Sequence, residues 1–80
     1  MKEVIALQAD EDYYYIQLIH IYVKDVLHFK VMQKIHNWIL FTIPTDKYII
    51  QLTLRNHNQI EVPLTNKNLE EIRKAEIKEI

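Results

Sequence analysis

Two alternating stretches in the second half of the chain constrain its fold more than any other feature. Over residues 48–55, and again over 59–64, apolar and polar side chains alternate with period two, which is typical of strands that bury one face. The segment between them, 56–58, reads Asn-His-Asn, and either asparagine can adopt a left-handed backbone conformation at modest cost. The pattern therefore predicts a β-hairpin with strands over about 47–55 and 59–64.

The apolar residues of these stretches also predict the register of the hairpin. Folding the chain about His57 gives three apolar cross-strand pairs on one face, and a slip of one residue would move one apolar set to the opposite face. The predicted pairs are Leu54 with Ile60, Leu52 with Val62 and Ile50 with Leu64. Pro63 has no N–H to donate, so we expect an edge strand, or a position where the missing donor faces solvent.

A helix is predicted directly after this hairpin, over about residues 66–79. With Thr65 as the N-cap, Leu64 and Leu69 take the two positions of a hydrophobic staple. Acidic residues follow the predicted start and lysines lie near the predicted end, which suits the helix dipole. Asn68 as the N-cap, with a later helix start, is the alternative.

Residues 13–23 predict a strand of a different kind, because both of its faces are apolar. Aromatic and β-branched side chains are dense here, which favours a strand that is covered on both sides. One face carries Tyr14, Ile16, Leu18, His20 and Tyr22, and the other carries Tyr13, Tyr15, Gln17, Ile19, Ile21 and Val23. A single helix over about residues 11–36 is the alternative, since apolar side chains there also fall near helical spacing.

A turn at Lys24-Asp25 would fold this strand onto a second alternating stretch at 26–33. The resulting pairs, which we assign to the core, are Tyr22 with Leu27, His20 with Phe29 and Leu18 with Val31. The opposite face is too apolar for an ordinary solvated surface, so we predict that it is an interaction surface. Its residues are Tyr15, Ile19, Ile21, His28, Lys30 and Met32. The simplest partner is a second copy of the chain about a two-fold axis.

The whole pattern predicts an α+β fold. Further strands are expected at about 2–8 and 38–43, with turns at 34–37 and 44–46. We therefore predict an antiparallel, largely meandering β-sheet of five or six strands with one C-terminal α-helix packed on it. Residues 1–80 are expected to form a single small domain.

Composition excludes several classes of function. The chain contains no glycine, serine or cysteine, so it lacks phosphate-cradling loops, disulfides, thiolate metal sites and the two commonest nucleophiles. The net charge of −1 gives no strong attraction to nucleic acid or to a membrane surface. No apolar run approaches the roughly 20 residues of a membrane span, and the N-terminal stretch does not resemble a secretory signal. We expect a cytoplasmic protein that is not an enzyme.

The histidines and one acidic run are the remaining candidates for chemistry. The spacing of His20, His28 and His36 matches no zinc pattern, and the first two point to opposite faces of the predicted hairpin. The acidic run at 10–12 lacks the spaced ligands and the glycine of a calcium loop. We therefore predict no metal site and no cofactor. His20 is expected at the rim of the core, and His28, His36 and His57 on the surface or in turns.

These observations favour a non-catalytic protein-interaction module, a small accessory or regulatory protein that binds another protein and forms a homodimer. The abundance of Ile, Lys, Asn and Tyr is compatible with an A/T-rich genome, such as that of a phage or mobile element. The alternative is a small nucleic-acid-binding domain in which aromatics stack on bases beside lysines. Its residues would be Tyr13, Tyr14, Tyr15, Phe29 and Trp38, with Lys24, Lys30 and Lys34.

Overall fold

The computed structural model describes residues 2–9, 17–37 and 42–80, with the backbone alone at 36–37 and 42–46. Within these ranges it contains five β-strands and one α-helix, and the predicted α+β class with a C-terminal helix is confirmed. The strands are β1 (Val4–Gln8), β2 (Leu18–Tyr22), β3 (Val26–Asn37), β4 (Thr42–Leu54) and β5 (Gln59–Pro63), and the helix is α1 (Asn66–Lys74).

The strands are divided between two antiparallel sheets instead of meandering through one. β1 pairs with β2 in the first sheet, and the second has the order β3-β4-β5. A single 3₁₀ turn at Val23–Asp25 carries the chain from one sheet to the other, so the hairpin predicted about Lys24-Asp25 does not form. Arg55 holds this crossover, because its backbone N–H donates to the Asp25 oxygen at 2.8 Å and its Nε donates to the Lys24 oxygen.

The core face of β2 is the reverse of the predicted one. Ile19 lies opposite Leu7 and Ile21 opposite Ile5 in the β1–β2 ladder, and all four contribute to the core cluster. The residues predicted to be buried, Leu18, His20 and Tyr22, are exposed. The long-helix alternative is wrong for the described residues 17–36, which are mainly in strands.

β3 and β4 form a long antiparallel pair, and this pairing replaces two predicted turns. Residues 34–37 continue β3, and the segment 44–46 lies within β4. The turn-favouring sequence around Pro44 coincides with a register shift, because the pairing passes from Gln33↔Tyr48 to Ile35↔Pro44. Most of the strand predicted at 38–43 lies outside the described residues.

Leu27 marks a second irregularity near the start of β3. Val26 pairs with Leu54 and His28 with Thr53, which leaves Leu27 as the extra residue of a β-bulge. Val26 and Phe29 consequently both reach the core, while Leu27 remains exposed.

The predicted hairpin between β4 and β5 forms, with its pairing shifted by two residues. Ile50 pairs with Val62 and Leu52 with Ile60, and these residues line the core side as expected. His57, and neither asparagine, takes the left-handed conformation, with φ of 70°.

The turn explains this shift. The His57 N–H donates to the Leu54 oxygen at 3.0 Å, and the Leu54 N–H donates to the Asn58 oxygen at 2.9 Å. The hairpin therefore closes through a three-residue loop that centres on Asn56, one position before the predicted centre. Pro63 lies on edge strand β5, as predicted.

α1 starts where the sequence predicts and ends earlier. The Thr65 side chain accepts a hydrogen bond from the Asn68 N–H at 3.1 Å, which confirms Thr65 as the N-cap. The helix ends at Lys74 instead of near 79, since Glu76 adopts a left-handed conformation with φ of 58°. The Ile77 N–H donates to the Ile72 oxygen at 3.3 Å, which completes a Schellman motif.

We expect Glu76→Gly to stabilise the protein. A left-handed conformation costs a residue with a Cβ atom about 1–2 kcal/mol, which glycine avoids. Glycine's greater freedom in the unfolded chain offsets about half of this gain, so the net increase in unfolding free energy should be about 0.5–1 kcal/mol. Urea denaturation measures it, and Glu76→Ala is the control because it removes the same carboxylate but keeps Cβ. Equal stability of the two variants would contradict the interpretation.

One hydrophobic core joins both sheets and the helix. Its fully buried side chains include Ile5 and Leu7 of β1, Ile50 and Leu52 of β4, and Ile72 of α1. In the described part of the chain, no helix has the length and apolarity needed to cross a membrane.

Candidate interaction surfaces

Asn68 caps the outer edge of β1 from the first turn of α1. Its Oδ1 accepts a hydrogen bond from the Gln8 N–H at 2.7 Å, and its Nδ2 donates to the Gln8 oxygen at 2.9 Å. The same Nδ2 donates to the Pro63 oxygen at 2.9 Å. Asn68 is 0% exposed, so its amide takes the place of a neighbouring strand for β1 and also secures the end of β5.

Glu71 extends this edge cap by one helical turn. Its carboxylate accepts a hydrogen bond from Lys2 Nζ and a longer one, of 3.4 Å, from the Ala6 N–H. The hydrogen bond from Lys2 lowers the pKa of Glu71 below its ordinary value, although partial burial acts in the opposite direction. On the solvent side of the helix, a hydrogen bond to Glu70 raises the pKa of Lys74.

Each edge of the second sheet is blocked at one of its described positions. β5 carries Pro63, which has no N–H to offer a further strand. At the opposite edge, the Phe29 N–H of β3 donates to the Lys78 oxygen, and the Ile80 N–H donates to the Phe29 oxygen, both at 3.0 Å. The chain after α1 therefore covers the edge of β3 at Phe29.

The outer edge of β2 has no partner strand among the described residues. The Val23 N–H donates to the Glu3 oxygen and the Ala9 N–H to the Gln17 oxygen, both at 2.8 Å, so odd-numbered residues of this strand bond to β1. Because antiparallel bonding alternates, the backbone groups of the even-numbered residues point away from β1. These residues are Leu18, His20 and Tyr22, and no described residue pairs with that edge.

The outer face of the β3-β4-β5 sheet is a second surface of interest. The register places three cross-strand rows on it: His28-Thr53-Gln59, Lys30-Gln51-Glu61 and Met32-Ile49-Pro63. Gln51 lies at the centre and is only 7% exposed. Its Nε2 donates to Gln59 Oε1 at 3.3 Å. No described residue supplies a hydrogen bond to the buried Oε1 of Gln51 or to the buried Nδ1 of His28.

The structure places five of the six predicted interaction residues and divides them between two locations. His28, Lys30 and Met32 lie half-buried on the outer face of the β3-β4-β5 sheet. Ile19 and Ile21 instead face the core, and Tyr15 lies outside the described residues. Sequence alternation therefore grouped the three β3 residues correctly on one face of a strand. It was wrong to place Ile19 and Ile21 on the same face, because these two residues belong to the other sheet.

An open groove of about 480 Å³ lies at the end of β2, and it is lined by Lys2, Glu3, Tyr22, Val23 and Lys24. Lys24 Nζ lies 5.6 Å from the centre of the Tyr22 ring, a cation–π contact. In the residues that the structure describes, no group of three or more His, Cys, Asp or Glu side chains could hold a metal ion.

The residues of the nucleic-acid hypothesis are scattered. Phe29 is 5% exposed and belongs to the core, so it offers no face for a base. Lys24 packs over Tyr22, while Lys30 lies on the outer face of the other sheet. The tyrosines at 13–15, like Trp38, lie outside the described residues.

Asn68 is the functional side chain that sequence reasoning missed. The sequence offers Asn68 only as an alternative N-cap, which would form a capping box with Glu71. Its contacts with Gln8 span 60 residues, and no local pattern carries that information.

No protein-family model, curated protein or solved structure matches this chain. Its function must therefore be argued from the open edge of β2 and from the outer face of the β3-β4-β5 sheet.

Proposed function

We propose that this chain is a non-catalytic protein-interaction module, a small accessory or regulatory protein that binds another protein and also self-associates. The heteromeric contact is assigned to the outer face of the β3-β4-β5 sheet. The observation that supports this assignment is the row of Met32, Ile49 and Pro63 beside the polar row of Lys30, Gln51 and Glu61 on that face.

The composition of this face suits a protein partner. Met32 and Ile49 are half-buried and form an apolar row with Pro63. Beside it, Lys30 and Glu61 flank Gln51 with opposite charges. An apolar patch next to polar groups that can be satisfied is typical of protein interfaces, and methionine adapts to varied partner surfaces.

A matched pair of charge reversals tests the proposal. Lys30→Glu changes the outer face, whereas Lys67→Glu makes the same change on the exposed side of α1. Proteins cross-linked to the wild-type chain in its native cell extract should also be recovered with Lys67→Glu. For a partner identified in this way, calorimetry should show that Lys30→Glu weakens binding about tenfold or more. Equal affinity of both variants would refute the assignment of the face.

The wild type and Lys30→Glu also distinguish a protein partner from a nucleic-acid partner. Binding to nucleic acid through lysines would shift single-stranded or duplex oligonucleotides at low salt and weaken steeply as salt is added. We expect no such shift for the wild type. A salt-sensitive shift that Lys30→Glu abolishes would favour the alternative over a protein partner.

A further inference from the structure

We propose that two copies of the chain pair through the outer edge of β2, antiparallel and about a two-fold axis at His20. The pairing would join the two β1–β2 sheets into one four-stranded sheet. This inference rests on the proposed self-association and names the surface responsible for it. The edge is distinct from the outer face of the β3-β4-β5 sheet, so one copy can use both surfaces at once.

The backbone of β2 is self-complementary in this arrangement. Leu18 lies opposite Tyr22 of the second copy, and His20 lies opposite its own equivalent. Each of these residues directs both its N–H and its C=O away from β1. Every opposed pair can therefore exchange two hydrogen bonds, as bonded pairs of an antiparallel ladder do.

The side chains fit a second copy of the same strand. On the outer face, Leu18 (39% exposed) meets Tyr22 (58% exposed) of the second copy, an aromatic–aliphatic cross-strand pair. On the inner face, half-buried Ile19 lies opposite Ile21, so the two cores become continuous. β2 contains no Asp, Glu, Lys or Arg, so the pairing opposes no like charges and offers nothing to attract a charged peptide strand.

The contrast with the other edges supports the same conclusion. Natural sheets protect exposed edges with proline, charged side chains or covering segments, because an open edge recruits another strand. Here Asn68 and Glu71 cover β1, Pro63 lies at β5, and the segment after α1 covers β3 at Phe29. β2 has none of these devices within its described residues.

The size of the contact sets its strength. A five-residue strand is about 17 Å long, so the contact is small relative to a standard interface of about 800 Å² per partner. The dimer should therefore dissociate on dilution, with a Kd on the order of 10–100 μM.

Two leucines of nearly equal exposure provide a matched test. Leu18 on the edge strand is 39% exposed and Leu27 on the β-bulge is 40% exposed. Sedimentation equilibrium should show a dimer for the wild type and for Leu27→Lys. For Leu18→Lys it should show a Kd raised about tenfold or more, because the substitution removes the apolar Leu18–Tyr22 contact and places a strongly hydrated charge on the edge strand. Circular dichroism verifies that both variants are folded.

Cross-linking tests the position of the axis. The chain has no cysteine, so His20→Cys introduces a single thiol. Opposed residues of a bonded pair have Cα atoms about 5.5 Å apart, within the range that a disulfide spans. With oxidised glutathione as the oxidant, His20→Cys should form a covalent dimer about tenfold faster than Leu27→Cys at the same concentration.

The outcomes separate this inference from the proposed function. A wild type that stays monomeric up to about 1 mM would overturn both the β2 pairing and the proposed self-association. The proposed binding of another protein to the outer face of the β3-β4-β5 sheet would be unaffected, because Lys30→Glu tests it separately. A dimer that Leu18→Lys leaves intact, with no preferential cross-linking at position 20, would overturn the β2 pairing alone. If the β2 edge bound only a different protein chain, the wild type would stay monomeric, which is the first of these outcomes.

Discussion

Asn68→Leu is expected to lower the free energy of unfolding by about 3–5 kcal/mol. Leucine has the same branched shape as asparagine, but its two methyl groups are bulkier than the amide oxygen and nitrogen, so crowding in this fully buried position adds to the loss. The main loss comes from the backbone, since the N–H and oxygen of Gln8 and the oxygen of Pro63 lose their hydrogen bonds to the amide. Chemical denaturation monitored by circular dichroism measures the change.

Asn68→Asp separates the donor role of this amide from its acceptor role. A carboxylate can still accept from the Gln8 N–H, but it opposes the Gln8 and Pro63 oxygens where the amide donates. Burial beside these oxygens raises the pKa of the new carboxyl in the folded state. Stability should therefore be greatest below the usual aspartate pKa of about 4 and should fall as pH rises through the folded-state value.

The wild type provides the control for that pH profile, because its neutral amide does not titrate in this range. A loss below about 1 kcal/mol for Asn68→Leu would show that solvent replaces these hydrogen bonds without cost. A pH profile of Asn68→Asp parallel to that of the wild type would contradict the proposed opposition between the carboxylate and the two oxygens.

Ile21→Asp is expected to cost about 3–5 kcal/mol, through loss of apolar burial and the placement of a carboxylate in the core. Ile21 is 7% exposed and lies opposite Ile5, which is completely buried. Met32→Asp is the matched control, since it adds the same charge to a strand on a half-buried outer face. Its cost should stay within about 1 kcal/mol.

Urea denaturation is measured at low micromolar protein concentration, where the chain should be monomeric and only the stability of the monomer contributes. Similar losses for Ile21→Asp and Met32→Asp would contradict the placement of Ile21 in the core. A loss for Ile21→Asp that appears only at high concentration would instead restore the sequence-based view, in which Ile21 lies on an interaction surface.

Much of the second half of the fold was predictable because its signals are local. Strict alternation determined which side chains of β4 and β5 are buried, including Ile50, Leu52 and Val62. The N-cap at Thr65 was also predictable, since its partner Asn68 is only three residues away. The two-residue error in pairing arose because His57 occupies the left-handed position that asparagine usually takes.

The first half resisted prediction for a physical reason. When both faces of a strand are apolar, as in β2, periodicity cannot decide which face is buried. The partner strand decides it, and here that partner is β1 instead of β3. The crossover at Val23–Asp25 likewise depends on Arg55, a contact about thirty residues distant that carries no local signature.

The cap that α1 places on β1 leads us to expect that this helix protects the protein from aggregation. If α1 undocks, Ala6 and Gln8 lose their side-chain partners, and the small sheet is left with two open edges. A sheet open on both sides can add strands in both directions, so growth need not stop at a dimer. If the β2 edges pair as proposed, docking of this short helix would separate a closed dimer from an assembly that continues to add strands.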